Sequence, residues 1–174
     1  MKQKIILLFA CIIALSQFAF GKLVYQKIQQ VPSSSFKKID VFNYELLGKD
    51  VALSSIVTTY DAFQINEQAL QTIAKQKPEA LEIQVPIDGI WQSLRLIKSS
   101  NVDENTLFAS KSGSKKEFIS YTPGAYYVGV LNNNSSSIVG ISFFEHDIIG
   151  VVSNASGNYV IGKKDVRNYY STLY

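Results

Sequence analysis

Residues 118–161 read FISYTPGAYYVGVLNNNSSSIVGISFFEHDIIGVVSNASGNYVI, and the alternation of apolar runs with turn formers here decides the fold class. Phe118 to Tyr121, Tyr126 to Leu131, Ser136 to Phe144, Ile148 to Ser153 and Asn158 to Ile161 are short and rich in β-branched and aromatic residues. Between them lie Pro123-Gly124, Asn132 to Ser135, Glu145 to Asp147 and Asn154 to Gly157, residue types that tolerate tight turns. Strands this short and evenly spaced predict an antiparallel meander. No fixed-period repeat and no coiled-coil heptad accompanies it.

Upstream, Leu81, Ile83 and Val85 alternate with Glu82 and Gln84, the period of a half-buried strand. Pro86-Ile87-Asp88-Gly89 follows as a turn, because Asp-Gly accepts the positive φ of a tight hairpin. Ile90 to Ile97 is then the return strand, with Trp91 offering apolar surface and Arg95 facing out. Before this hairpin, Asn66 can cap a helix whose Ala69, Leu70, Ile73 and Ala74 share one face. Lys75 and Lys77 suit the negative helix end and Pro78 stops continuation, so the spacing predicts a helix over 66–76 with Leu70 and Ile73 against the sheet. Lys22 to Thr59 gives no firm assignment, although Val51-Ala52-Leu53 and Ile56 to Tyr60 have the composition of short strands. The expected fold is α+β and β-dominated: an antiparallel meander or sandwich-like domain with one helix near 66–76, plus an N-terminal signal helix.

The first 21 residues read as that signal. Lys2 and Lys4 form a positive start, Ile5 to Leu15 an apolar run, and Ala19-Phe20-Gly21 a small-x-small cleavage site. The run is short of the roughly 20 residues a membrane-spanning helix needs. Cleavage between Gly21 and Lys22 divides the chain into a signal peptide, 1–21, and one β-rich domain, 22–174, located outside the cell with periplasmic transit on the way. The single cysteine, Cys11, lies inside the apolar run and leaves with it. The remainder has no thiol for a disulfide, a metal or a nucleophile. Losing Lys2 and Lys4 from 17 basic residues leaves 15 against 14 acidic ones, a net charge of +1. The pairs Lys37-Lys38, Lys115-Lys116 and Lys163-Lys164 are scattered rather than gathered into a basic face, so no nucleic-acid partner is expected, and no membrane after cleavage.

The chemistry-bearing residues are few. His146 is the only histidine, which excludes a His-Glu-x-x-His zinc site and any two-histidine facial triad. Within Glu145-His146-Asp147 it sits where a turn between two apolar strands demands polar residues anyway. The serines lie in loops without a Gly-x-Ser-x-Gly elbow, and the glycines form no phosphate-cradling loop. The ten tyrosines and ten phenylalanines could stack on sugars or bases but in a β-rich chain chiefly pack the sheet. Catalytic, cofactor-binding and metal-ligating residues are therefore expected to number none. Asn133, Asn134 and Asn154 each begin an Asn-x-Ser sequon, which marks surface turns.

The ordered series Tyr126-Tyr127-Val128-Gly129-Val130, Ser137-Ile138-Val139-Gly140-Ile141-Ser142, Ile149-Gly150-Val151-Val152 and Asn158-Tyr159-Val160-Ile161 resembles the end of the pro-region in reprolysin (adamalysin) type zinc metalloprotease precursors, particularly the secreted bacterial ones. The motif positions are Tyr126, Tyr127, Gly129, Ser137, Ser142, Gly150, Tyr159 and Ile161. The likeness covers Phe118 to Gly162, with a weaker echo in Pro86 to Gly89 and in Phe63 to Asn66. It implies a non-catalytic region that assists folding of a downstream metalloprotease domain, its partner in cis or encoded nearby, and keeps it inactive until removed. Two departures matter. Many relatives use a pro-region cysteine to occupy the catalytic zinc, which is excluded here, and the protease domain itself is not in this chain, which the resemblance casts as a truncated precursor or gene fragment. The alternative from another class is a free-standing extracellular β-module for adhesion or glycan binding.

Overall fold

In the computed structural model, residues 19–43, 60–100, 106, 108–112, 115–119, 123–163 and 168–173 are described. The apolar run with Cys11 that was expected to act as a signal, the expected strand at 51–53, and all but Tyr60 of the one expected at 56–60 lie outside them.

The helix predicted over 66–76 is α2, Glu67–Gln76. Asn66 caps it, its Oδ1 accepting from the Ala69 backbone N–H at 3.1 Å. Lys77 ends it in a left-handed conformation, φ 43°. Leu70 and Ile73 are fully buried. A second helix, α1 (Ala19–Gln30), corrects the expectation of a single one beyond the signal. It runs through the predicted cleavage point at Gly21-Lys22. Val24 and Ile28 fall one turn apart on its buried face, and Lys27 lies in its last turn. Val31 precedes Pro32, which disfavours helical geometry in the residue before it, so the helix stops there.

Among the described residues, eleven strands form: β1 (Lys37–Lys38), β2 (Tyr60–Gln64), β3 (Ala80–Ile87), β4 (Ile90–Lys98), β5 (Phe108–Ser112), β6 (Lys115–Ile119), β7 (Ala125–Leu131), β8 (Ile138–Phe143), β9 (Ile148–Asn154), β10 (Gly157–Lys163) and β11 (Asn168–Leu173). Nine join one sheet in the order β1-β3-β4-β7-β8-β9-β10-β11-β2, while β5 and β6 pair separately. From β3 to β11 neighbouring strands of the large sheet are antiparallel, as the meander predicts. The short β1 lies parallel to β3, which makes the sheet mixed. Asp88 and Gly89 turn the β3–β4 hairpin at φ 53° and 74°. Asn132 and Asn133 take positive φ between β7 and β8, the asparagines' tolerance of that region being used twice.

This is one curled sheet rather than two stacked ones, so the sandwich-like alternative is corrected. Its two ends meet through the segment leaving β1. Ile39 donates its N–H to the Glu82 carbonyl of β3, whereas Asn43 donates to the Gln64 carbonyl of β2. A Phe42–Ile65 bridge completes the join. The concave side holds the main core, including Phe63, Leu81, Leu94, Tyr127, Phe143, Ile161 and Tyr169 with Leu70 and Ile73 of α2. The outer side carries a smaller cluster in which Val24 and Ile28 of α1 meet Phe36, Ala80 and Val130.

Candidate functional site

The eight motif positions lie on four adjacent strands and their turns, on both faces of the sheet, and they do not converge on one point. Tyr127 points into the core, packs edge-on against Phe143 at 5.6 Å, and donates its hydroxyl to the Pro78 carbonyl at 2.8 Å. Burial, with a smaller push from Glu79, raises this hydroxyl well above its ordinary range. Tyr126, one residue earlier, faces outward with its ring edge-on to Phe144 at 6.1 Å. Gly129 is required by a close approach: a Cβ there would overlap the Arg95 carbonyl oxygen and come within 2.8 Å of Leu96 Cδ2.

Ser137 is buried and locks the β7–β8 turn, accepting from Leu131 N–H at 2.9 Å and donating to the Asn134 carbonyl at 2.7 Å. A loop serine by sequence is thus a structural one. Ser142 faces Tyr126 across the β7–β8 pair. At Gly150 a Cβ would sit 3.0 Å from Ile141 Cγ1. Ile161 is fully buried opposite Gly150. Tyr159 donates its hydroxyl to Asp88 Oδ2 at 2.6 Å, and that hydrogen bond, helped by burial, raises its pKa.

Sequence reasoning missed the groups that tie the curled sheet together. Asp88, a turn former by sequence, also receives the Tyr159 hydroxyl. Asp61 of β2 accepts from the Gly89 N–H at 2.9 Å, and Ser171 of β11 donates to the Pro86 carbonyl at 2.5 Å. The tip of the β3–β4 hairpin is thereby fastened to β10, β11 and β2. No local signal announces contacts between residues this far apart in the chain. Arg95, expected to face solvent, is half-buried: its guanidinium stands over the Phe36 ring at 5.3 Å and meets Glu82 at 3.1 Å.

His146 lies in the turn expected for it and is exposed. Its neighbour Asp147 turns to structure, accepting from Tyr169 Oη at 3.0 Å and from the Ile148 N–H at 2.8 Å. Burial foremost, and then that hydrogen bond, raises the Tyr169 hydroxyl far above its usual range. Among the described residues no three of His, Cys, Asp and Glu gather as a metal-holding group, and no helix is long and apolar enough to cross a membrane.

The outer face presents a surface instead. One cross-strand row passes from Ala80 to Ile97, Val128 and Gly140, then through Val151 and Val160 to Thr172. A second aligns Tyr126, Ser142 and Ile149. Neither row holds a charged residue. α1 lies over the first part of the long row, where Ala80, Ile97 and Val128 pack against it. Past β8, Ile149 and Val151 are 55% and 47% exposed, whereas Thr172 at the far end of the long row is buried. Both β7 and β9 have hydrogen-bonded neighbours on each side, so they offer a face and not an edge. No protein-family model matches the chain, and no curated protein matches it.

Proposed function

We propose that this chain is the non-catalytic pro-region of a secreted zinc metalloprotease precursor, bacterial in type, with residues 22–174 as its pro-region-like unit. It binds the downstream protease domain, assists its folding, and holds it inactive by covering the cleft without a thiol. The ordered motif from Tyr126 to Ile161 suggests the family. The observation that carries the binding role is the uncharged outer face of β8, β9 and β10, where Ile149 and Val151 stand in solvent. Contiguous apolar surface on a folded chain marks interaction sites, and Ile149 and Val151 lie two residues apart on one face of β9.

The expected mode of contact is face-on. Strand addition needs an unpaired edge, and the strands carrying the motif have none. Covering the remaining half of Ile149 and Val151 contributes about 1 kcal/mol each, so the pair shifts affinity by roughly 30-fold. An increment of that size suits a partner held nearby on the same polypeptide, where a short linker supplies an effective concentration in the millimolar range.

The test is inhibition of the metalloprotease domain encoded with or near the chain. The wild type is expected to bind and inhibit it in the absence of any thiol, and Ile149→Asp with Val151→Asp to do neither while keeping its fold. Binding to a polysaccharide with none to the protease would replace this reading with the adhesion module.

A further inference from the structure

A short stretch of sheet edge stands open beside α2. β1 is an outermost strand of the nine and pairs only with β3. Lys37 and Lys38 lie opposite Leu81 and Glu82 in parallel register, and Ile39 donates its N–H to the Glu82 carbonyl. The residues flanking Lys38 therefore turn their main chain to β3, and Lys38 turns its own N–H and C=O the other way. Among the described residues neither group has a hydrogen-bond partner. Residues 37–40 form one wall of a groove of about 390 Å³, and Asn66, Gln68, Ala69 and Thr72, at the start of α2, form the other.

A strand edge on one side and a helix surface on the other is a setting in which an extended peptide adds as a further strand, main-chain hydrogen bonds giving affinity and alternate side chains selectivity. The volume lies at the low end of the range for ligand sites and suits a few residues. The charges narrow the choice of peptide. Lys37 Nζ reaches Gln76 Oε1 of α2 at 2.6 Å, a neutral acceptor. Lys38 shares the Glu82 carboxylate with Arg95, at 3.6 and 3.1 Å, so one anion answers two cations. Asp40 is the one acidic residue in the lining, against two lysines. Lysines on an open edge keep uncharged strands from pairing there, whereas a strand that brings its own carboxylate meets no such barrier.

We infer that this groove takes a short acidic peptide in extended form, added as a strand on β1 with its main chain on Lys38 and a carboxylate side chain on Lys37. The inference uses neither the outer face nor the pro-region assignment, and its test needs no protease.

Amide resonances of the isotopically labelled full chain, followed during titration with acetyl-Val-Glu-Val-amide, test it. Saturable shifts at Lys38, Asp40, Ala69 and Thr72 are expected at about 1 mM. The same peptide N-methylated at all three residues has no main-chain donors and should bind about 10-fold more weakly, and the version with Gln in place of Glu about 3-fold more weakly. Lys38→Pro deletes an N–H that faces away from β3, a place where edge strands accept proline, so the variant keeps its fold and should lose about 10-fold in affinity. Ala69→Phe, which fills the groove from the helix side, gives an independent check with a loss of the same size. Equal binding of the N-methylated peptide, unchanged binding by both variants, or shifts absent or confined to other strands would overturn the inference. Shifts of the same residues that grow with protein concentration in the absence of peptide would assign the edge to a second copy and overturn it too.

Discussion

The outer face of the sheet is one surface treated in two ways. From β3 to β7 its apolar row packs partly buried against α1, while past β8 the same row, in continuous register, stands 47% exposed at Val151. Residue type does not distinguish the halves, since Ile97 and Val128 lie in one and Val151 and Val160 in the other. What differs is that the chain supplies a helix for the first half. The lesson is that apolar spacing specifies a face able to be covered and leaves open which element covers it.

Gly129→Val should have the largest effect on this comparison. Gly129 lies opposite Leu96 and Val139 of the core, so its new side chain would drive into the β4 backbone at Arg95 from the concave side, and a loss of about 3 kcal/mol in chemical denaturation is expected. Gly140→Val, on the open outer face, meets nothing within 4 Å and should move stability by no more than about 0.5 kcal/mol. Comparable losses at both sites would mean that the open outer face is packed as closely as the core.

Next comes α1 itself. Ile28→Ala removes a fully buried side chain from the helix–sheet contact and is expected to cost about 2–3 kcal/mol. Val151→Ala on the uncovered half should cost less than about 0.5 kcal/mol. Thermal melting of the two variants side by side reads the difference.

A smaller effect is pH-dependent and concerns the concave side. Tyr127, Tyr169 and Tyr159 all have hydroxyls raised above the unfolded value near 10. The unfolded chain therefore releases protons that the folded chain retains, and stability is full below about pH 10 and falls as pH rises beyond it. Tyr127→Phe and Tyr169→Phe should each flatten that alkaline slope. Tyr127→Phe should also cost about 1 kcal/mol at neutral pH by leaving the Pro78 carbonyl without its donor. An unchanged slope would show that these hydroxyls titrate freely.

Much of the sheet was legible because strands of period two separated by Asn, Gly and Pro need only local information. The β3–β4 hairpin, β7 to β10 and the Asn66-capped helix lie close to where spacing places them. β11 and β5 carry no assignment from spacing, and the strand character of β11 comes from pairing with β10 and β2. α1 was obscured because its first residues also satisfy a signal cleavage pattern, which competes for the same small residues. Half of the motif positions proved to be framework: Tyr127, Ser137, Tyr159 and Ile161 pack or tie, which no linear pattern separates from recognition. The open face was not legible at all, because it exists only once six strands are in register.

The central claim is that this open face docks a metalloprotease domain, and a binding titration against that domain tests it most directly. The wild-type chain and the Ile149→Asp, Val151→Asp double variant are compared at equal thermal stability. The account predicts saturable binding with inhibition for the wild type and at least a 30-fold loss for the variant. Equal affinity of the two chains, or no binding by either at micromolar concentration, would contradict it.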